Sequence, residues 1–292
     1  MAVKTPITHI GNFSVAERYY DLETAYGYGG YYCSTENPDF IKKALDAYLI
    51  QCLQENIIAE FVRYHPYNNF PMLHKESFDF LMIDRQTVSI DLSLSKESRW
   101  SRYSSTTRNI LRKYSPGMVF QETADIECFM HMYRKTMDKN NANSFFYFSK
   151  EYYQRLLSMP NVKLFSVEFD NQIVNMSFVL IGRDLAHYHL SASNADFVKL
   201  HGNYFMLDNV CDHLNVYFPK VSQLHLGGGR SNQESDSLLA FKAKFSQIRN
   251  SFYIAGKIFN NNVYQKYIDK FNLLHPEFNN TKYFLKYRLG SL

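Results

Sequence analysis

The chain has 292 residues, 46% of them hydrophobic and 21% charged, with a formal net charge of +4. That balance excludes a disordered chain and lacks the dense basic stripe that grips duplex nucleic acid, while it suits anionic small ligands. The length favours two domains over one, and no window approaches the ~18 apolar residues of a membrane-spanning helix.

The N-terminal stretch MAVKTPITHIGNFSVAERYY lacks the apolar core of a signal peptide, so a soluble, cytoplasmic protein is expected. The four cysteines, Cys33, Cys52, Cys128 and Cys211, form no CxxC and have no histidine at finger spacing, which predicts reduced thiols and no zinc site. Asn37 and Pro38 open a helix, IKKALDAYLIQCLQE, whose apolar residues fall on one face. IIAEFVRYH reads as a strand, followed by two further strand-like runs, FDFLMID and TVSIDLS. SKESRWSRYSSTTRNILRKYS reads as one helix bearing Arg102, Arg108, Arg112 and Lys113, stopped by Pro116-Gly117. After that stop come a strand (GMVFQE), two helices (ADIECFMHMYRKTM and SKEYYQRLLSM, the second capped by Ser149) and three strands (NVKLFSVEFD, QIVNMSFVLIG and LAHYHLSAS). A helix (NYFMLDNVCDHLNV), a strand (VSQLHL), a helix (DSLLAFKAKF) and a strand (RNSFYIAGKIF) follow.

The order from Gly117 is β-α-α-β-β-β-α-β-α-β. With SIDLS, HYHLSAS, HLGGG and DSLLAFKAKF placed along it, this half resembles the GNAT acyltransferase fold. The whole chain resembles tandem-GNAT proteins of the FemABX type, which build peptidoglycan cross-bridges, and looks closest to a nucleotide-sugar N-acyltransferase branch. The resemblance implies an α+β (α/β) fold of two tandem GNAT-like domains. Mixed, mostly antiparallel sheets would be flanked by helices, with the first domain degenerate. It divides the chain into residues 1–116, the degenerate domain, and 117–292, which carries the acyl-donor site. Residues 84–258 hold nearly all of its specificity, and the long helical arm of some members is absent.

In GNAT domains the gap between the fourth and fifth strands holds pantetheine, and the next helix offers its N-terminus to the coenzyme A diphosphate. Unpaired N–H groups and the helix dipole bind the anion there, and glycine permits close approach. The matching stretch is Lys199-Leu200-His201-Gly202-Asn203-Tyr204, with Tyr204 in place of a small residue. The resemblance makes Lys199, Gly202 and Asn203 donor contacts, with Ser191 and Ala192 pairing the pantetheine as an added strand would. It also makes Lys242 a contact for the donor or an acceptor phosphate. Gly227 to Gly229 lack the spacing of a nucleotide-triphosphate loop and read as a strand end on the substrate rim, with Gly228 and Gly229 on the acceptor side. Arg230, next to them, has the fork geometry that suits a diphosphate, and Arg108 is a second candidate for that task. The aromatic runs around Tyr28 and Tyr147 fit a base or a sugar ring, and equally fit a core.

Direct acyl transfer needs a proton acceptor for the amine and no covalent enzyme intermediate. His189 and Asp236 are the candidates. Strand alternation puts His187 and His189 on one face, with Tyr188 and Leu190 on the other. Each candidate also has an ordinary role, His189 as a strand histidine bonded to a carbonyl and Asp236 as a helix N-cap. The two histidines have no third ligand at fitting spacing, so no metal is expected. The leading expectation is transfer from an acyl-coenzyme A to the amine of a dTDP- or UDP-linked amino deoxysugar in surface-polysaccharide (lipopolysaccharide O-antigen) biosynthesis. The alternative is an aminoacyl-tRNA-dependent aminoacyltransferase acting on a peptidoglycan precursor. A third reading is a non-catalytic GNAT-like binding protein. The sequence leaves oligomeric state, acyl length, sugar and nucleotide open.

Overall fold

The computed structural model describes residues 1–233 and 235–289, and the described chain forms two compact units. One comprises residues 1–85 and 251–292, the other residues 86–250.

In the first unit, β1 (Ala2–Pro6) and a small hairpin of β2 (His9–Ile10) and β3 (Phe13–Ser14) lead to β4 (Tyr20–Thr24). The helix α1 (Pro38–Gln54) then crosses to β5 (Ile57–Arg63), which lies parallel to β4. Asn37 caps α1 by accepting from the backbone N–H of Asp39 and Phe40, and Pro38 needs no donor at the first helical position. A short α2 (Phe70–Leu73) precedes β6 (Phe80–Asp91), which carries the chain into the second unit.

The second unit continues with α3 (Lys96–Arg102), α4 (Ser105–Tyr114), β7 (Met118–Thr123), α5 (Ile126–Lys139) and α6 (Lys150–Ser158). The strands β8 (Val162–Phe169), β9 (Gln172–Ile181) and β10 (Leu185–Ser193) follow, then α7 (Gly202–Tyr217), β11 (Gln223–Gly228) and α8 (Ser237–Ala243). β12 (Ile248–Ile258) returns the chain to the first unit, where α9 (Asn261–Leu274) closes it.

Strand order in the second unit is β6-β11-β10-β9-β8-β7, antiparallel except for β10 with β11. In the first unit it is β1-β4-β5-β12, antiparallel except for β4 with β5. Each unit therefore has a mostly antiparallel sheet with one parallel pair joined through a helix, and helices cover the sheets. One face of the second sheet buries Phe129, Tyr133, Tyr153 and Leu156 of α5 and α6 on Leu164, Phe178 and Leu190. The other buries Leu207, Val210 and Leu214 of α7, with Leu111 and Phe245, on Val88, Phe165 and Leu224.

Three expectations change. The boundary expected at 116/117 lies inside the second unit, because β6, α3 and α4 supply Val88, Ile90, Tyr103 and Leu111 to its core. The runs FDFLMID and TVSIDLS are one 12-residue strand, β6. The single Arg-bearing helix is two, broken at Tyr103-Ser104, because Ser95 and Ser104 each cap a fresh start, on Ser98 and Thr107. From β7 to β12 the order matches the expected β-α-α-β-β-β-α-β-α-β.

α3 is fastened to α7 by a buried polar network. The Arg99 guanidinium pairs with Asp212 and lies 3.8 Å from Asp208. Asp208 also accepts from Trp100 Nε1 (2.9 Å) and Tyr103 Oη (3.1 Å). Arg99→Ala leaves Asp208 buried without its cation, so it should cost about 3–5 kcal/mol, read as a lower urea midpoint at unchanged slope.

Candidate functional site

The site of interest begins where two strands part. β10 and β11 pair for only three residues, from Leu185↔Gln223 to His187↔His225. At that point both neighbouring ladders slip: β10 against β9 between Tyr188 and Leu190, and β11 against β6 between His225 and Gly227. Such bulges bend a strand and increase its twist, which turns the two strands away from each other. Tyr188 to Ser193 then run on paired to β9 alone. Six residues at ~3.3 Å each leave roughly 20 Å of β10 edge to which an extended ligand chain could add.

The vertex is held by side chains. The rings of His187 and His225 meet edge-on at 5.0 Å, and buried His225 contacts Ser89 Oγ through Nδ1 at 3.3 Å. Asn250 Nδ2 donates to the same Ser89 hydroxyl at 2.9 Å.

Beside the parted edge, α7 starts on the sheet. A Cβ on Gly202 would lie 2.7 Å from Val174 Cγ2, so only glycine lets the helix sit this low. Asn175, next to Val174 on β9, donates to Ala192 O at 2.9 Å and Ser193 Oγ at 2.8 Å, which ties the end of β10 to β9 beneath the helix start. His201 adopts a left-handed conformation (φ 56°) as the residue before the helix, and its side chain makes no capping bond. The first-turn N–H groups of this 16-residue helix are therefore not answered by a capping side chain. Cations surround them. Lys244 Nζ donates to Tyr204 Oη at 3.2 Å, and Lys199 is exposed just ahead of the helix. Burial, then the charges of Lys244 and Lys113, lower the proton affinity of His201. Lys244 and Lys113 thus place positive charge near His201 at the uncapped helix start.

Of the expected donor residues, Ser191 and Ala192 lie on the parted stretch of β10, Gly202 and Asn203 open α7, and Lys199 lies in the turn just before it. Ser191 Oγ accepts from Tyr188 Oη at 2.8 Å. Lys242 does not join them, because its Nζ donates to Gly228 O at 2.7 Å and braces the end of β11. Lys244, two residues on and so on the opposite side of the helical turn, faces α7 instead. Sequence reasoning missed Lys244, Lys113 and His201. The K-x-K spacing in AFKAKF was the only local signal for Lys244, and Lys113 reaches the site through the packing of α4.

Asp236 is a structural anchor rather than a base. Its Oδ1 accepts from the N–H of Leu238 and Leu239, each at 2.9 Å. Its Oδ2 accepts from the N–H of Arg230 and Ser231, each at 2.9 Å, and from Ser231 Oγ at 3.2 Å. Burial works to raise its pKa but is outweighed by the bonds from Leu239, Ser231 and Arg230, which hold it at about 2. A carboxylate so strongly stabilised has too little proton affinity to take a proton from an amine. Gly229 makes the arrangement possible, since a Cβ there would lie 2.5 Å from Asp236 Oδ1.

His189 sits at the bulge. Because the bulge shifts the alternation, Tyr188 packs with the α7-side core and Leu190 with the α5–α6 core, not on one common face as expected. His189 Nε2 lies 3.1 Å from Tyr152 Oη of α6. Burial pushes its imidazole down to about 4, so it is uncharged at neutral pH.

The expected substrate residues are dispersed. Arg108 donates to the carbonyls of Ser101 (3.3 Å) and Tyr103 and closes the α3–α4 joint. Tyr147 donates to Asp138 at 2.8 Å in the loop before α6. The Arg230 side chain is exposed beside the glycines. Tyr28 belongs to the first unit, edge-on to His65 (5.4 Å) and Phe252 (5.1 Å), with its hydroxyl pushed up to about 12 by burial.

No family model and no curated protein sequence matches the chain. Solved structures do match it. One described as FemX aligns over 91% of this chain and 90% of its own, with a TM-score of 0.69 at 12% identity. In fold, the chain resembles FemX. The C-terminal domain of an Agrobacterium fabrum protein named as a lysylphosphatidylglycerol synthetase aligns over 93% and 88%, with a TM-score of 0.56 at 15% identity. A Bacteroides thetaiotaomicron protein of unknown function aligns over 84% and 81%, with a TM-score of 0.55 at 12% identity. The likeness supports the tandem-GNAT, FemABX-like fold and does not point to the nucleotide-sugar branch.

Two outcomes follow. Lys244→Ala should weaken binding of inorganic pyrophosphate about tenfold, measured by calorimetry at low salt, while Lys242→Ala leaves it near the wild-type value. Asp236 is lowered from 3.8 to about 2, so its stabilisation is complete above pH ~4 and lost as pH falls towards 2. Asp236→Asn should therefore flatten the stability profile over that window in urea titrations.

Proposed function

We propose that the protein is an N-acyltransferase of the aminoacyl class, moving an aminoacyl group from aminoacyl-tRNA to an amine on a peptidoglycan precursor. The observation that carries this reading is the FemX likeness, which extends over 91% of the chain and therefore over both units rather than one GNAT-sized half. Aminoacyl-tRNA and the precursor are the donor and acceptor that a FemABX-type resemblance implies. The parted edge of β10 supplies a place for the donor's extended end, and the cationic start of α7 a place for its phosphate.

The reaction is a direct exchange of bonds. The acceptor nitrogen attacks the ester carbonyl, the C–N bond forms, the C–O bond to the ribose breaks, and the ribose oxygen leaves with a proton. Ser191 and Ala192 hold the acyl chain through their backbone. His189, neutral and in contact with Tyr152, takes a hydrogen bond from the attacking amine. With its conjugate acid near 4 it orients the lone pair rather than storing the proton, so the proton passes on to the leaving oxygen or to water.

A second reading keeps the same strands and helix but takes acyl-coenzyme A as donor and a dTDP- or UDP-linked amino sugar as acceptor. What favours it is the positive charge of Lys113 and Lys244 near the α7 start, which suits a diphosphate. Both readings are decided in one assay, with purified protein given either radiolabelled aminoacyl-tRNA and peptidoglycan precursors, or acyl-coenzyme A and nucleotide-linked amino sugars. Label moving from tRNA to precursor is expected. Thiol release with an amino sugar and no transfer from tRNA would replace the first reading by the second, and neither product would make the protein a binding module.

A further inference from the structure

The first unit contains a cavity of about 380 Å³ between α1 and the face of β5. Its walls are mostly apolar and aromatic, including Tyr31, Leu45, Tyr48, Val62 and Phe70. The exception is Glu60, a buried carboxylate on the central strand of that unit's sheet.

Burying a carboxylate among rings is unfavourable unless something answers its charge. Here the answer is partial. Tyr31 Oη and Tyr48 Oη (3.1 Å) both donate to one oxygen, Oε2, and Oε1 has no hydrogen-bond partner among the described residues. No side-chain ion pair involves Glu60 among the described residues. Its cross-strand neighbour Lys257 pairs instead with Asp79 at 3.3 Å. The hydrogen bonds from Tyr31 and Tyr48 draw its proton affinity down. Burial, the larger effect, raises that affinity. The rings of Tyr31 and Tyr48 stand at 76° with centroids 5.9 Å apart, and Phe70 stands edge-on to Tyr31 at 5.5 Å. These rings pack edge-to-face on one another, so beside the carboxylate the cavity offers mainly an apolar wall.

We infer that this cavity is a binding site for an organic ammonium group carried on an apolar or aromatic body, with Glu60 as its counter-ion. The ammonium sits at Oε1 and against the tyrosine rings, and the apolar body fills the space along Leu45, Val62 and Phe70. Phosphates and carboxylates are rejected, since they would meet Glu60 in a poorly solvated site.

The probe is 4-phenylbutylammonium, compared with neutral 4-phenylbutanol, titrated calorimetrically into the full chain at pH 7. The amine should bind saturably and at least about tenfold more tightly than the alcohol, because an ionic hydrogen bond is worth more than a neutral one. Glu60→Gln keeps an acceptor oxygen for both tyrosines and removes the charge, and should lose that preference. Ala44→Trp, at the exposed wall of the cavity, leaves Glu60 in place and should abolish binding of both probes. Equal affinity for amine and alcohol, or full amine binding by either variant, would overturn the assignment. If Glu60→Gln does not fold, the wild-type comparison and Ala44→Trp still decide it.

Discussion

The candidate site exists because β10 and β11 stop pairing after His187 and His225. Sheet strands ordinarily stay paired, since each unpaired backbone N–H or C=O must find another partner or water. Here two bulges, one in each strand's other ladder, turn the strands apart, while the contact of His187 with His225 holds the vertex shut. The separation would be useless without a helix close enough to finish the site. Gly202 permits that by letting α7 rest on Val174, and Asn175 keeps the end of β10 alongside. Vertex, edge and helix start are thus one construction, and a change to any of them moves the others.

The first unit uses the same device with another outcome. β4, α1 and β5 form a parallel pair joined by a helix, as β10, α7 and β11 do. There the parting is stitched closed: the Arg63 N–H goes to Thr24 Oγ1 at 2.9 Å, and the Arg63 carbonyl accepts from Gly29 at 2.8 Å. Among the described residues these bonds close the strand ends that stay apart in the second unit. The sign of charge also differs. Lysines gather at the start of α7, whereas a carboxylate lies beneath α1.

How much of this was legible in the sequence depended on whether a signal was local. The order from β7 to β12 could be read because each element carries its own periodicity and its own cap or turn, such as Ser149 before α6 and Asp236 before α8. Gly202 and Asn203 could be placed because their position follows from that order. The strands before Asn37 were not legible, since β1 and β4 show little alternation and owe their pairing to each other and to β5. The boundary at Pro116-Gly117 was a true helix stop, yet the unit to which β6 belongs is decided by the long-range burial of Val88 and Ile90. At the site, the bulge at His189 defeated strict alternation, which no single-strand pattern could have foretold.

The different placements of Lys242, Asp236 and Lys244 share one cause. Residue type and position marked Lys242 and Asp236 as able to bind a ligand and passed over Lys244, because sequence does not say which polar groups the protein itself saturates. Asp236 answers five donors and Lys242 braces Gly228 O, so both have been drawn into holding the glycine turn. Buried or half-buried polar groups that the fold satisfies stiffen it, as the Arg99–Asp208–Asp212 network does between α3 and α7. Glu60 and the start of α7 are satisfied only in part. The glycine turn, held by Asp236 and Lys242, is thus a support beside the parted edge of β10.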